Sequence, residues 1–139
     1  MIRFKLLFLF DSLTTHIGEM QMILTIYSIA ISSAAVITGM AIHANYKLQH
    51  GERLPVHWNA RFEPDNFGPR RFALFFMPIL FGMILLSTAL ALHLIPPGPI
   101  NKTSSPAESI AVITFVAMAL LAVKYFYLRA IFRWAEKHK

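Results

Sequence analysis

Residues 20–46 read MQMILTIYSIAISSAAVITGMAIHANY and contain no Asp, Glu, Lys or Arg. A bilayer's hydrocarbon core is about 30 Å thick, and about 20 apolar helical residues cross it. The stretch therefore predicts a transmembrane helix. Residues 72–101, opening FALFFMPILFGMILLSTALALHLI, are equally free of those charges and predict a second. A soluble protein can hide two such helices only inside a polar remainder, and this chain has none. Of its 139 residues 56% are hydrophobic and 14% charged, against about 25% charged in ordinary soluble domains. Mean hydropathy is +0.54. The solvent this sequence suits is lipid.

A third span rests on its ends. Residues 109–123 are uncharged but short for a crossing. They follow Ser105-Pro106-Ala107-Glu108, a capping box with Ser105 at N-cap, Pro106 at the first helical position and Glu108 at the third. Glu108 also suits the positive end of the helix dipole. At the far end Lys124 is placed to snorkel, burying its stem and lifting its amine to the headgroups. Tyr125, Phe126, Tyr127 and Trp134 form an aromatic belt, and Arg129, Arg133 and Lys137 follow at spacings of four. One helix is expected from Pro106 to about Ala135. Pro96-Pro97-Gly98-Pro99 stops the second helix, Gly51 ends the first, and Pro78 introduces a bend in the second span.

The expected architecture is all-α and integral to the membrane, with three transmembrane helices and a motif-bearing loop between the first two. Its segments are 1–19, 20–46, 47–71, 72–95, 96–105 and 106–135. Residues 1–19 leave two readings open. Phe4 to Phe10 is aromatic and apolar behind Arg3 and Lys5, which suits an interfacial helix; alternatively the native chain starts at Met20 or Met22. Arg3, Lys5 and Lys102 fall on one side of the membrane. Lys47, Arg53, Arg61, Arg70, Arg71, Lys124, Arg129, Arg133, Lys137 and Lys139 fall on the other. The positive-inside rule places the N-terminus outside, and the 47–71 loop and C-terminus in the cytoplasm.

Composition also excludes chemistry. With no cysteine there is no disulfide, thiolate nucleophile or iron–sulfur site. The formal charge of +6 suits anionic lipid better than nucleic acid, because the cations flank apolar runs and form no basic stripe. No Asp, Glu, Lys or Arg lies deep in a span, which argues against ion-coupled transport. His43 and His93 sit near span ends, where headgroups or a neighbouring carbonyl suffice for them. His43, His50 and His57 recur every seven residues, but Gly51 and Pro55 break any helix that would align them. Neither metal nor cofactor is expected, and no set of polar groups reads as a catalytic one, so the chain is not expected to be an enzyme. Span one carries a small-residue stripe, Ser28, Ser32, Ala35 and Gly39. This face suits close packing against the other spans or a second copy.

Residues 51–71, GERLPVHWNARFEPDNFGPRR, are not explained by insertion alone. Pro55 biases its predecessor towards extended backbone. Alternation over Leu54 to Asn59 then puts Val56 and Trp58 on one face, His57 and Asn59 on the other. Pro64-Asp65-Asn66 reads as a turn. Trp58, Phe62 and Phe67 suit the lipid interface, so a hairpin-like element lying on the membrane with its apolar side in the headgroups is expected.

Pro55-Val56-His57-Trp58-Asn59-Ala60, then Glu63-Pro64-Asp65 and Phe67-Gly68-Pro69-Arg70, resembles the signature of the DUF1648 family of bacterial membrane proteins. The resemblance covers roughly residues 22–90. Phe62 and Asn66 stand where that family commonly has glycine. Family members similar to the toxin-immunity proteins of the SDP system are longer, with about twice the spans. The resemblance implies a bacterial cytoplasmic-membrane location and a role in immunity, sensing or regulation through a membrane partner or toxin. Pro55, His57, Trp58, Asn59, Asp65 and Gly68 are the candidate binding residues. A structural subunit of a larger membrane complex is the alternative, and a homo-oligomer fits either.

Overall fold

The computed structural model describes residues 2–49, 51–61, 63–94 and 105–138, with side chains at Phe10 and from Ser12 onward. The Pro96–Pro99 turn, Lys102, His50, Phe62 and Lys139 lie outside the described residues, as do the side chains of Arg3, Lys5 and Phe4. The elements run α1 (Ile2–Lys47), β1 (Arg53–Trp58), β2 (Pro64–Pro69), α2 (Arg70–Leu94) and α3 (Pro106–Lys137). All three helices are long and apolar enough to span a membrane. The loop between the first two is a two-stranded antiparallel hairpin.

Helix α1 runs unbroken from Ile2 to Lys47, so residues 2–19 continue the first span's helix. At 1.5 Å per residue α1 is about 69 Å long and α2 about 37 Å. Tyr27 of α1 meets His93, next to last in α2: the rings lie edge to face, with Tyr27 Oη 3.5 Å from His93 Nδ1. The α1 segment before Tyr27 therefore overshoots the end of α2. Residues 12–20 are all exposed.

Helix α1 packs along both other helices. Its buried face is Ile26, Ala30, Ser33, Ile37, Ala41, Ala44 and Leu48, at spacings of three and four. Small residues there let bulky partners approach. Ala30 and Ile37 share a cluster with Phe81, Leu85 and Ala89 of α2 and Ile113 and Ala117 of α3. The predicted stripe is not this face: Ser28, Ser32, Ala35 and Gly39 are exposed, and a Cβ added at Gly39 meets nothing within 4 Å. Hydroxyls in the spans return to their own helices, as Ser28 does to the Leu24 carbonyl (2.6 Å), Ser32 to Ser28 (2.7 Å) and Thr88 to Ile84 (2.8 Å). This leaves no unpaired hydroxyl facing hydrocarbon at those positions.

The capping box at α3 forms as its residues dictate. Ser105 Oγ accepts from Glu108 N at 3.3 Å and Glu108 Oε2 from Ser105 N at 2.9 Å. The α1 end is closed from outside, because Arg70, first in α2, donates from its guanidinium to the Leu48 and Gln49 carbonyls (3.2 and 2.6 Å). A cation suits that negative helix end.

Candidate functional site

The hairpin docks on the ends of α1, α2 and α3. Leu54 is buried with Ala44, Leu48, Ala73, Leu74, Leu128 and Ile131, and Val56 and Trp58 pack against that cluster. Phe67 meets Trp134 of α3 with ring centroids 5.4 Å apart. The apolar side that the sequence assigns to lipid is thus satisfied by α3, whose last turns reach past the membrane-spanning run.

The chain reverses earlier than Pro64-Asp65-Asn66, which lies inside β2. The turn falls after Asn59. Its Oδ1 accepts from Arg61 N (2.9 Å) and Glu63 N (3.0 Å), while its own N donates to Glu63 O (2.9 Å). An Asn side chain that mimics a backbone turn in this way fixes the reversal before the proline is reached. Strand pairing matches Leu54 with Gly68 and Pro55 with Phe67, then shifts register on both sides of His57, which pairs with Asn66. Gly68 is buried, and a Cβ there would sit 2.9 Å from Val56 Cγ1. Only glycine lets the strands close at this point.

The six signature residues divide between two faces. Pro55, Trp58 and Gly68 look towards the helices. His57 and Asp65 look away, with side chains 68% and 45% exposed, and His57 Nδ1 donates to Asp65 Oδ1 at 2.7 Å. That bond sets the ring's tautomer and leaves Nε2 facing outward. Asn59 builds the turn between them.

Two α3 residues that latch α3 to α2, one of them also to the hairpin, were not among the candidates. Pro78 has no N–H, so the Leu74 carbonyl four residues earlier loses its helical partner. Lys124 supplies a replacement: fully buried, it donates from Nζ to Leu74 O at 2.9 Å, with the amine 5.5 Å from the Tyr127 ring centroid. It does not snorkel to the headgroups. Tyr127 Oη lies within hydrogen-bond distance of both Ala73 O (3.1 Å) and Pro55 O (3.2 Å), tying α2 and β1 to one side chain. The only sequence sign of this latch is a lysine in an apolar span opposite a helix that contains proline.

Beside the latch is an open cleft of about 400 Å³ between the turn and the end of α3. Trp58, Glu63 and Pro64 line one wall; Arg133, Trp134 and Lys137 line the other. Trp58 Nε1 is buried and has no hydrogen-bond partner among the described residues.

Residues 35–82 match the model of the family described as a domain of unknown function, DUF1648. The match runs from mid-α1 through the hairpin to mid-α2, and α3, which carries the latch, lies outside it. No curated protein and no solved structure matches the chain.

Proposed function

We propose that this multi-pass membrane protein is a non-catalytic binding module. Its rigid hairpin would present the His57–Asp65 edge and the Trp58–Trp134 cleft to a membrane partner or toxin, in immunity, sensing or regulation. One observation carries this reading. The outward polar pair, which adds little stability where solvent screens it, sits on a hairpin braced from three helices. Such bracing preorganises a surface and reduces the ordering entropy that binding would otherwise require. The cleft adds the cations Arg133 and Lys137, with Glu63 on the facing wall, which suits a polar, acceptor-rich partner segment. The ten-to-three bias of basic residues supports a cytoplasmic hairpin in a bacterial inner membrane.

A photocrosslinking amino acid placed at His57 tests the proposal in native membranes. A discrete adduct that is lost when the crosslinker moves to Met83, on the exposed side of α2, supports it. The absence of any adduct at His57, Asp65 or Glu63 rejects it.

The second reading, a structural subunit or homo-oligomer, is favoured by a different surface. Opposite its buried face, α1 presents Phe10, Leu13, Ile17, Met20 and Leu24 at spacings of three and four, and then the Ser28-Ser32-Ala35-Gly39 stripe. This is the pattern by which a helix seats a second helix.

A further inference from the structure

Next to the cleft, and sharing Arg133 with it, an open groove of about 500 Å³ lies between α1 and α3. Its apolar floor includes Met40, Leu128 and Phe132; its polar rim is His43, Arg129, Arg133 and Glu136. The rim stands where hydrocarbon gives way to headgroups. His43 is one turn before Lys47, which ends α1, and Arg129 follows the uncharged 109–123 run and Lys124. Arg129 and Arg133 are exposed, and their guanidiniums form no ion pair or hydrogen bond with the described residues. Two neighbouring unpaired guanidiniums above an apolar trough match an amphiphile with an anionic head. A planar fork of N–H donors grips a phosphodiester in two places.

We propose that this groove is a binding site for an anionic phospholipid. The phosphodiester oxygens accept from Arg129 and Arg133, His43 flanks the headgroup, and an acyl chain lies along Met40 and Leu128. Glu136, at the outer end, disfavours a second negative charge there and so selects a singly charged head such as phosphatidylglycerol.

The test is native mass spectrometry of the full chain released from mild detergent, titrated with phosphatidylglycerol or phosphatidylcholine. Phosphatidylglycerol should remain bound where phosphatidylcholine does not. Arg129→Gln and Arg133→Gln should each weaken it about fivefold, equivalent to about 1 kcal/mol per cation near an anionic surface. Both residues are exposed, so helicity by circular dichroism should be unchanged. Lys47→Gln removes the same charge at the same level outside the groove and should change binding less than twofold. Equal losses for Lys47→Gln and Arg129→Gln would reduce the effect to a diffuse surface field and overturn the site. Equal retention of the two lipids would also overturn it. Displacement of the lipid by millimolar inorganic phosphate would overturn it in favour of a free-anion site.

Discussion

Lys124 holds the carbonyl that Pro78 sets free, and this exchange defines the molecule at the residue scale. A buried carbonyl without a donor costs about 1–3 kcal/mol. Lys124→Leu should therefore destabilise the protein by about that amount. Pro78→Ala, which restores the helical N–H, should recover part of the loss in a double-mutant cycle. Denaturant titration in detergent micelles measures both, and simple additivity of the two changes would refute the pairing. At Gly68 the constraint is steric. Val56 Cγ1 is 2.9 Å from the position of an added Cβ and belongs to a stiff side chain. Gly68→Ala should cost about 1–3 kcal/mol by overpacking, read as a lower melting temperature.

At the scale of elements, local signals were legible and cross-helix ones were not. The Ser105–Glu108 box closes within one turn of helix, so four consecutive residues disclosed it. Leu54 to Trp58 read correctly as extended, because Pro55 and the alternation act locally. The turn was misplaced because Asn59 and Pro64 are both turn formers, and the competition is decided by which side chain reaches the amides. The small stripe is ambiguous for a related reason: it suits packing against the other spans or against a second copy. Helix α1 has small residues on two opposite faces, and spacing identifies a face without saying what it meets. Tyr127 was read as an interfacial aromatic, since nothing in its neighbourhood reveals the Pro55 and Ala73 carbonyls. Removing its hydroxyl isolates the latch. Tyr127→Phe should loosen the hairpin by about 0.5–1.5 kcal/mol. Hydrogen exchange should then accelerate at Leu54 and Val56 while mid-helix amides near Leu85 keep their protection. Equal acceleration in both regions would mean that Tyr127 supports the whole bundle instead.

At the scale of the whole molecule, the first two spans follow from composition and length, and the third from the signals at its ends. Their arrangement makes two checkable demands. A cytoplasm-dependent reporter fused after His138 should be active, as the distribution of basic residues requires; an inactive fusion reverses the topology. The chain has no native cysteine, so single cysteines can be walked along α1 without background. If copies associate through the outward face, Met20→Cys and Leu24→Cys should form intermolecular disulfides, while Ile26→Cys and Ala30→Cys, buried against α2 and α3, should not. Disulfides at all four positions, or at none, would remove that face as a contact between copies.

The long first helix has a mechanical corollary. Among the described residues its packing begins at Met22, and the 20 residues of helix before that extend about 30 Å. A tilt of about 10° at Met22 would swing the far end of the helix by about 5 Å at that rise per residue. The same stiffness runs back through the anchored half to Leu48, whose carbonyl Arg70 grips beside the hairpin. A push on that end would be carried, through one unbroken rod, to the end that Arg70 holds beside the hairpin.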